Sequence, residues 1–359
     1  MAPTLGTILS FLHSQLFVTV PKPTTSYAGR VVIVTGGNVG LGLETARSIA
    51  ALGAAKVIIT SRSTSAGEAA RDSILASQPS SRDPTSVEAW PLDLCSHASI
   101  RAFAARAAAL PRLDALICNA GVATGHFALA ADLGPDGGHE TTIATNVVGT
   151  FLLALLALPA LKRTAARTNS LAHLVIVSSE VHYFTDFAER DKVDEKEGSI
   201  FAALRDERRS DMPDRYNVSK LLEVLVVREL AASPSLMGGG GGGSPDSPYP
   251  VVVTAPNPGL CASALRRELY DAEKANVAVR WGVWLLERLL ERPAEEGARN
   301  FVTCASAGAA WHGRYVSDGV PKEPAALVLS EEGAKLQRRV WEELRDILEG
   351  IEPGVTRNF

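Results

Sequence analysis

Short apolar runs recur through residue 255, and each is followed by a polar or glycine-rich turn. Continuous runs of Val, Ile and Leu without polar alternation are typical of strands buried on both faces of a parallel sheet. The predicted strands are 30–35, 56–60, 87–92, 113–118, 171–177 and 250–255. Helical patterns lie between them, at 43–50, 68–76, 97–110, 141–158 and in the segment around Tyr216. The sequence therefore predicts an α/β protein with a doubly wound parallel sheet.

The N-terminal segment, residues 4–20, is apolar but interrupted by polar residues. It is too short and too polar for a transmembrane span, and it lacks the basic start and cleavage site of a signal peptide. A helix there has one apolar face, made of Leu5, Ile8, Leu9, Leu12 and Leu16. Three roles stay open: packing on the body of the protein, covering a substrate cleft, or peripheral contact with a membrane surface.

Beyond the sixth strand, the pattern predicts helices at 264–291, 297–310 and 330–348 and a short strand at 313–317. The first of these helices presents Trp281 and Trp284 on an apolar side. The run 238–248 begins with six consecutive glycines and is expected to be a flexible loop.

Composition and charge narrow the class of protein. The chain has 359 residues, 46% of them apolar and 21% charged, which fits a globular protein with a sizeable core. The net charge of −4 argues against nucleic acid as a partner. Four widely spaced cysteines without a Cys-x-x-Cys pair are expected to be core thiols in a reducing, cytoplasmic compartment, with no metal site.

A glycine-rich turn follows the first strand and leads into a helix. This context distinguishes a nucleotide-binding turn from an ordinary loop. Gly36 allows the tight turn, Gly40 lets a pyrophosphate approach the helix N-terminus, and Gly42 lets the helix lie close to the strand. The intervening Asn38, Val39 and Leu41 belong to the same turn. We therefore expect residues 36–42 to bind a dinucleotide.

The residue that chooses between NAD and NADP is expected about 20 positions past the glycine turn. Ser61 and Arg62 stand there, at the end of the second strand. A guanidinium suits a 2′-phosphate, so the sequence favours NADP(H), with a solvated surface arginine as the alternative.

Tyr216 and Lys220 are four residues apart in a helical segment, so their side chains lie on one face, one turn apart. An ammonium near a phenol favours the phenolate and lowers the pKa of the phenol. Such a tyrosine can exchange a proton with a carbonyl or an alcohol. Alone the pair is weak evidence, because an amphipathic helix with a surface lysine has the same pattern.

Further polar motifs follow the other strands, where ligands bind in doubly wound sheets. They are Asp93-Leu94, Asn119-Ala120-Gly121, Ser178-Ser179 and Pro258-Gly259. Asn146 lies inside an apolar helix, where its side chain is either satisfied by backbone or part of a proton path.

This ordered set of motifs resembles the short-chain dehydrogenase/reductase family over residues 28–320, with features of its retinol-dehydrogenase-like branch and fungal relatives in secondary metabolism. The resemblance implies a single Rossmann-type domain at 28–320, an N-terminal extension at 1–27 and a helical tail at 321–359.

The resemblance also assigns roles. Ser179, or alternatively Ser178, with Tyr216, Lys220 and Asn146 would form the catalytic tetrad. The cofactor would be contacted by the glycine turn and by Asp93, Leu94, Asn119, Ala120, Gly121, Pro258 and Gly259, with Ser263 near its amide. Tyr216 would exchange the proton, and Lys220 would also bind the nicotinamide ribose.

The expected reaction is interconversion of a carbonyl and an alcohol on a hydrophobic small molecule. The aromatic residues Phe184, Phe187, Trp281 and Trp284 favour a bulky substrate, and the charge run 189–197 is expected to be solvated surface. A non-redox enzyme of the same fold, a cofactor-sensing protein and a homo-oligomer stay open as alternatives.

Overall fold

The computed structural model describes residues 5–78, 85–134, 137–192, 198–233, 236, 250–261 and 290–359. Its strands are β1 (Val31–Val34), β2 (Lys56–Ser61), β3 (Ser86–Pro91), β4 (Ala115–Cys118), β5 (Leu129–Ala130), β6 (His139–Glu140), β7 (Ala172–Ile176), β8 (Val251–Pro256), β9 (Tyr315–Ser317) and β10 (Val320–Lys322). The short β5 and β6 pair with each other, and the other eight form one sheet.

The eight-stranded sheet has the order β10-β9-β8-β7-β4-β1-β2-β3. All its neighbouring strands run parallel except β10, which is antiparallel to β9. The chain builds β1 to β3 toward one edge and β4, β7 and β8 toward the other, so the order reverses between β1 and β4. Such a reversal opens a crevice at the carboxyl ends of the strands.

Helices flank the sheet. They are α1 (Leu5–Phe17), α2 (Gly40–Ala51), α3 (Thr64–Ala76), α4 (His97–Ala108), α5 (Thr141–Ile143), α6 (Thr150–Thr168), α7 (Ile200–Leu204), α8 (Met212–Ala232), α9 (Ala294–Cys304), α10 (Ala326–Leu329) and α11 (Glu331–Ile351). A π-helical turn, Ala144–Gly149, joins α5 to α6, and 3₁₀ turns occupy Glu180–Tyr183, Ala188–Lys192, Ala309–Trp311 and Val355–Asn358.

Alternate residues of β1 face two separate cores. Val31 and Ile33 pack with α4, α6 and α8 on one face, whereas Val32 and Val34 pack with α2, α3 and α9 on the other. Both faces of the sheet are therefore covered, and the predicted doubly wound α/β fold is confirmed.

The segment Thr141–Thr168 is apolar and long enough, by length and composition, to cross a membrane. However, 83% of its apolar window is buried within the protein, so it packs as a core helix.

Two predicted helices differ most from the structure in their bounds. The helix expected at 141–158 continues to Thr168 and contains the π-helical turn. The helix expected at 297–310 begins at Ala294 and ends at Cys304. Three predictions fall on residues that the structure does not describe. They are the loop 238–248, Ser263 and the helix 264–291, of which only residues 290–291 are described.

The N-terminal helix packs on the body of the protein, one of the three roles left open, but it does so by its polar side and not by the predicted apolar face. Ser14 and Gln15 are the buried residues of α1. Of the predicted apolar face, Leu5, Leu9 and Leu16 are each more than half exposed. This helix is attached mainly by specific hydrogen bonds, which are described below, and not by a general apolar contact.

Candidate active site

The glycine-rich turn lies at the crevice between β1 and β4. Gly36 and Gly40 have left-handed φ values of +63° and +54°, which glycine adopts without strain. A Cβ on Gly42 would lie 2.3 Å from the Gly36 carbonyl oxygen, so only glycine fits between helix and turn. Nothing lies within 4 Å of the Cβ position of Gly40, and no side chain caps α2 there. Free N–H groups at this helix start fit an anionic phosphate.

Residues 119–121 are tied directly to this turn. The Thr35 hydroxyl oxygen accepts hydrogen bonds from the backbone N–H groups of Asn119 at 3.0 Å and Ala120 at 2.9 Å. The Asn119 amide nitrogen donates back to the carbonyl oxygens of Thr35 at 2.9 Å and Gly36 at 3.2 Å. The two motifs therefore form one wall of the crevice.

Asn146 lies in the π-helical turn and is fully buried. Its side chain exchanges two hydrogen bonds with the backbone of Val122, at 2.9 and 3.0 Å, and donates to the Ser219 hydroxyl at 2.9 Å. Of the two alternatives from the sequence, the side chain is thus satisfied chiefly by backbone. A Cβ on Gly121 would lie 3.2 Å from Asn146 Oδ1 and 3.9 Å from Lys220 Nζ. Asn146 and Lys220 therefore meet beside the exposed Gly121.

Tyr216 and Lys220 lie in the first half of α8, on the side that faces the sheet. Lys220 Nζ lies 5.5 Å from the centre of the Tyr216 ring and donates to the Val177 carbonyl oxygen at 2.9 Å. It also pairs with Glu223 at 2.8 Å. Burial alone would lower the pKa of Lys220, but the charges of Glu223 and Tyr216 outweigh it and raise this pKa.

The two serines after β7 have different surroundings. Ser178 is buried, and its hydroxyl donates to the backbone carbonyl oxygen of Lys220 at 2.9 Å. Ser179 is half-buried, and its oxygen accepts only a long bond, 3.3 Å, from the Val181 N–H.

Asn257, a residue for which no role was predicted, joins the Pro258-Gly259 motif to the turn after Ser179. Asn257 Oδ1 accepts from the N–H groups of Glu180 and Gly259, each at 3.0 Å. A Cβ on Gly259 would lie 2.8 Å from the side-chain amide of Gln15, so α1 touches this loop.

The residues proposed to choose the cofactor lie at the end of β2. Ser61 is buried and its hydroxyl oxygen accepts from the Ser63 N–H at 3.2 Å. Arg62 is exposed and forms no ion pair with any residue that the structure describes. Asp93 Oδ1 accepts from the Cys95 N–H at 2.9 Å, which holds the turn after β3, and the adjacent Leu94 is buried.

A cavity of about 260 Å³ lies between α1, the turn after Ser179 and the end of β9. Its aromatic lining consists of Phe11, Tyr183, Phe184 and Tyr315. Burial raises the pKa of Glu180, which also lines it, to about 7. Phe184, a predicted substrate contact, lines this cavity, whereas Ser179, Tyr216 and Lys220 are not among its lining residues.

Phe187 does not line this cavity. It is fully buried in the core with a left-handed φ of +52°. Trp281 and Trp284 lie outside the described residues.

The charge run is not entirely solvated surface, as had been expected. Glu189 is buried and pairs with Arg215 at 2.8 Å, and Glu140 lies 3.6 Å from the same guanidinium. Arg215 is fully buried directly before Tyr216, so these two carboxylates fix the start of α8. Nothing in the local sequence identified this cluster, because its partners come from three separate segments.

Comparison with known proteins agrees with these observations. A family model described as short chain dehydrogenase matches residues 30–185. A short chain dehydrogenase/reductase of Cryptosporiopsis sp. is 40% identical over 98% of this chain and 100% of its own length. A short chain dehydrogenase of Gibberella zeae is 39% identical over 96% of this chain and 93% of its own.

Solved structures agree as well. An uncharacterised protein from Mycobacterium paratuberculosis is 26% identical, with a TM-score of 0.61 over 91% of this chain and 96% of its own. The Pseudomonas aeruginosa RhlG/NADP active-site complex is 25% identical, with a TM-score of 0.56 over 83% of this chain and 98% of its own. With the fold, the motifs and these relatives in agreement, the chain belongs to the short-chain dehydrogenase/reductase family of oxidoreductases.

Proposed function

We propose that this protein is an NADP(H)-dependent oxidoreductase that interconverts a carbonyl and an alcohol on a hydrophobic small molecule. The observation that carries the proposal is the position of Tyr216, with the Lys220 ammonium 5.5 Å from its ring and Gly121 beside that ammonium, at the crevice that the glycine turn opens.

The residues present fit a dinucleotide. The start of α2 offers free N–H groups and open space at Gly40 for a pyrophosphate, and the exposed guanidinium of Arg62 is available for a 2′-phosphate. When bound, the nicotinamide supplies or accepts the hydride. The Pseudomonas aeruginosa relative in a complex with NADP supports this choice of cofactor.

Tyr216 donates the proton to the substrate oxygen during reduction and removes it during oxidation. Lys220 stabilises the phenolate of Tyr216, since Tyr216 raises the pKa of Lys220 and the attraction is mutual. Ser179, whose hydroxyl hydrogen has no acceptor among the described residues, donates it to the substrate oxygen. Asn146 holds the loop after Gly121 beside Lys220. In the proposed mechanism, a water bound there would connect Lys220 to solvent.

The aromatic cavity under α1 supports a bulky, hydrophobic carbonyl or alcohol as substrate. The two relatives named above are fungal short-chain dehydrogenases. A place in secondary metabolism and a cytoplasmic location are our predictions from the sequence.

The proposal is tested by following NADPH absorbance with ketones and aldehydes of increasing size. Tyr216→Phe should lower kcat at least about 10²-fold, because the proton donor is lost, while NADPH binding measured by fluorescence stays intact. Turnover retained in Tyr216→Phe would exclude this assignment. Product formed without loss of NADPH would instead indicate an epimerase, dehydratase or cyclase.

The cofactor preference is tested by Arg62→Asp. An acidic side chain repels the 2′-phosphate and accepts from a 2′-hydroxyl, so the KM for NADPH should rise about tenfold or more while the KM for NADH falls or stays constant. Equal changes in both constants would show that Arg62 does not contact the phosphate.

A further inference from the structure

Glu223 is a buried carboxylate, one turn below Lys220 on α8, that the proposed mechanism leaves without a role. Its Oε1 lies 2.8 Å from Lys220 Nζ, and the two side chains are only 3% and 6% exposed. Its Oε2 is buried and accepts no hydrogen bond from the described residues. The nearby Ser178 hydroxyl donates to the Lys220 carbonyl oxygen instead.

This contact fixes the direction of the Lys220 ammonium. An ammonium has three N–H donors, and Lys220 directs one to the Val177 carbonyl oxygen and one to Glu223. The Val177 carbonyl directly follows β7, and Glu223 lies one turn further along α8 than Lys220. The third N–H is left for the side on which Gly121 and Tyr216 lie.

The same contact sets the charge of the site. Burial disfavours an isolated ammonium, and the carboxylate beside it offsets that penalty, so the pKa of Lys220 is raised. Burial raises the pKa of Glu223, and Lys220 opposes this rise. The Cys118 thiol faces Glu223 from the end of β4 and stays neutral, because burial raises its pKa.

We propose that Glu223 is the positioning residue of Lys220, which holds the ammonium charged and directs its free N–H toward Tyr216 and the cofactor ribose. This inference rests on the proposed function for the roles of Tyr216 and Lys220. The inference goes beyond the proposed function because it adds a fifth, buried residue to the four residues of the proton-transfer site.

The test is the pH profile of carbonyl reduction in Glu223→Gln. The amide still accepts the hydrogen bond from Lys220 but carries no negative charge. Without that negative charge, the Tyr216–Lys220 pair loses its first proton at a lower pH. The basic limb of the profile of kcat against pH should therefore shift to lower pH by about one unit. The matched control is Glu229→Gln on the same helix, where the carboxylate accepts from Gln337 at 2.7 Å, and its profile should overlay that of the wild type.

A second measurement needs no turnover. The Tm values of Glu223→Gln, Lys220→Met and the double variant form a mutant cycle. The Tm of the double variant should lie at least about 4 °C above the value obtained by adding the two single changes, because each single change removes the same attraction between Glu223 and Lys220.

The outcomes separate the two proposals. An unmoved basic limb in Glu223→Gln, in a protein whose turnover depends on Tyr216, would overturn the inference and leave a purely structural ion pair. Tm changes of the single variants that simply add in the double variant would also overturn it. A wild-type protein that reduces no carbonyl would contradict the proposed function, and the Tm comparison would still test the pairing.

Discussion

Ser178 and Ser179 show how neighbouring residues of one type acquire different properties from their contacts. The Ser178 hydroxyl is buried, and the carbonyl oxygen of Lys220 already accepts its hydrogen. Ser179 is half-buried at the mouth of the crevice, and its oxygen only accepts a long bond. Of these two hydroxyls, we therefore expect the one on Ser179 to reach a substrate.

Alanine at each serine should separate chemistry from stability. Ser179→Ala removes a donor to the substrate oxygen, so kcat should fall about 10²- to 10³-fold with little change in Tm. Ser178→Ala removes a buried hydrogen bond, so the free energy of unfolding should fall by about 1 kcal/mol while kcat changes little. Steady-state kinetics and thermal unfolding of both variants check this, and the reverse pattern would assign the role to Ser178.

At the scale of elements, α1 is attached by a buried polar cluster. The Ser14 hydroxyl lies 2.8 and 2.9 Å from the two carboxylate oxygens of Asp318, and Arg292 pairs with Asp318 at 2.9 Å. Arg292 also donates to the carbonyl oxygens of Ser14 and Val18. These directional bonds hold α1 over the cavity and beside Gly259.

Asp318→Asn should therefore weaken the attachment of α1. The change removes the nearer carboxylate from the buried guanidinium of Arg292 and leaves Glu296, at 3.8 Å, as its remaining charge partner among the described residues. The free energy of unfolding should therefore fall by about 3 kcal/mol. Proteolysis should cut near α1 earlier than in the wild type, which mass spectrometry of the fragments measures. Asp346→Asn is the control, because Asp346 pairs with Arg345 on the exposed surface, and it should change stability by less than about 1 kcal/mol. Equal effects of both changes would exclude the anchoring role.

For the whole molecule, buried histidines and glutamates give opposite dependences of stability on pH. Burial lowers the pKa of His173 and His182 to about 4. Since the unfolded pKa is about 6.5, the unfolded chain binds these protons first as the pH falls, and the folded state loses stability between about pH 6.5 and 4. Burial raises the pKa of Glu180 and Glu223 to about 7, so these groups add stability as the pH falls through the same range. Because the two effects oppose each other in the wild type, a test must compare the wild type with a single variant at each pH.

His182→Gln provides that comparison. His182 Nδ1 donates to the Ser179 carbonyl oxygen at 2.7 Å, and Nε2 accepts from the Ala325 N–H at 3.1 Å, an arrangement that only the neutral ring allows. The gap in free energy of unfolding between wild type and variant should shrink by about 2 kcal/mol from pH 7 to pH 4.5. Urea unfolding at several pH values measures it. A gap that stays constant with pH for His182→Gln would contradict the argument.

The sequence by itself determined the strands, the glycine turn and the helix that carries Tyr216 and Lys220. These features depend on contacts between near neighbours in the chain: apolar runs, a turn that needs glycine, and side chains one helical turn apart. The order of the motifs along the chain also predicted the family, and the similarity to known family members confirms it. The roles of the individual site residues stay predictions.

Only the tertiary structure decided which side of α1 is buried, where Phe187 lies and what fixes the start of α8. Ser14 and Asp318 are 304 positions apart, and Glu189 and Arg215 are 26 apart, so no periodic pattern links them. Apolar periodicity predicts that a face will be buried, but buried ion pairs need partners from distant segments at fixed distances. The same reason hid the roles of Arg215 and Asn257 until the chain was folded. Glu223 is a near neighbour of Lys220 on α8, and only the burial of this pair depends on the tertiary structure.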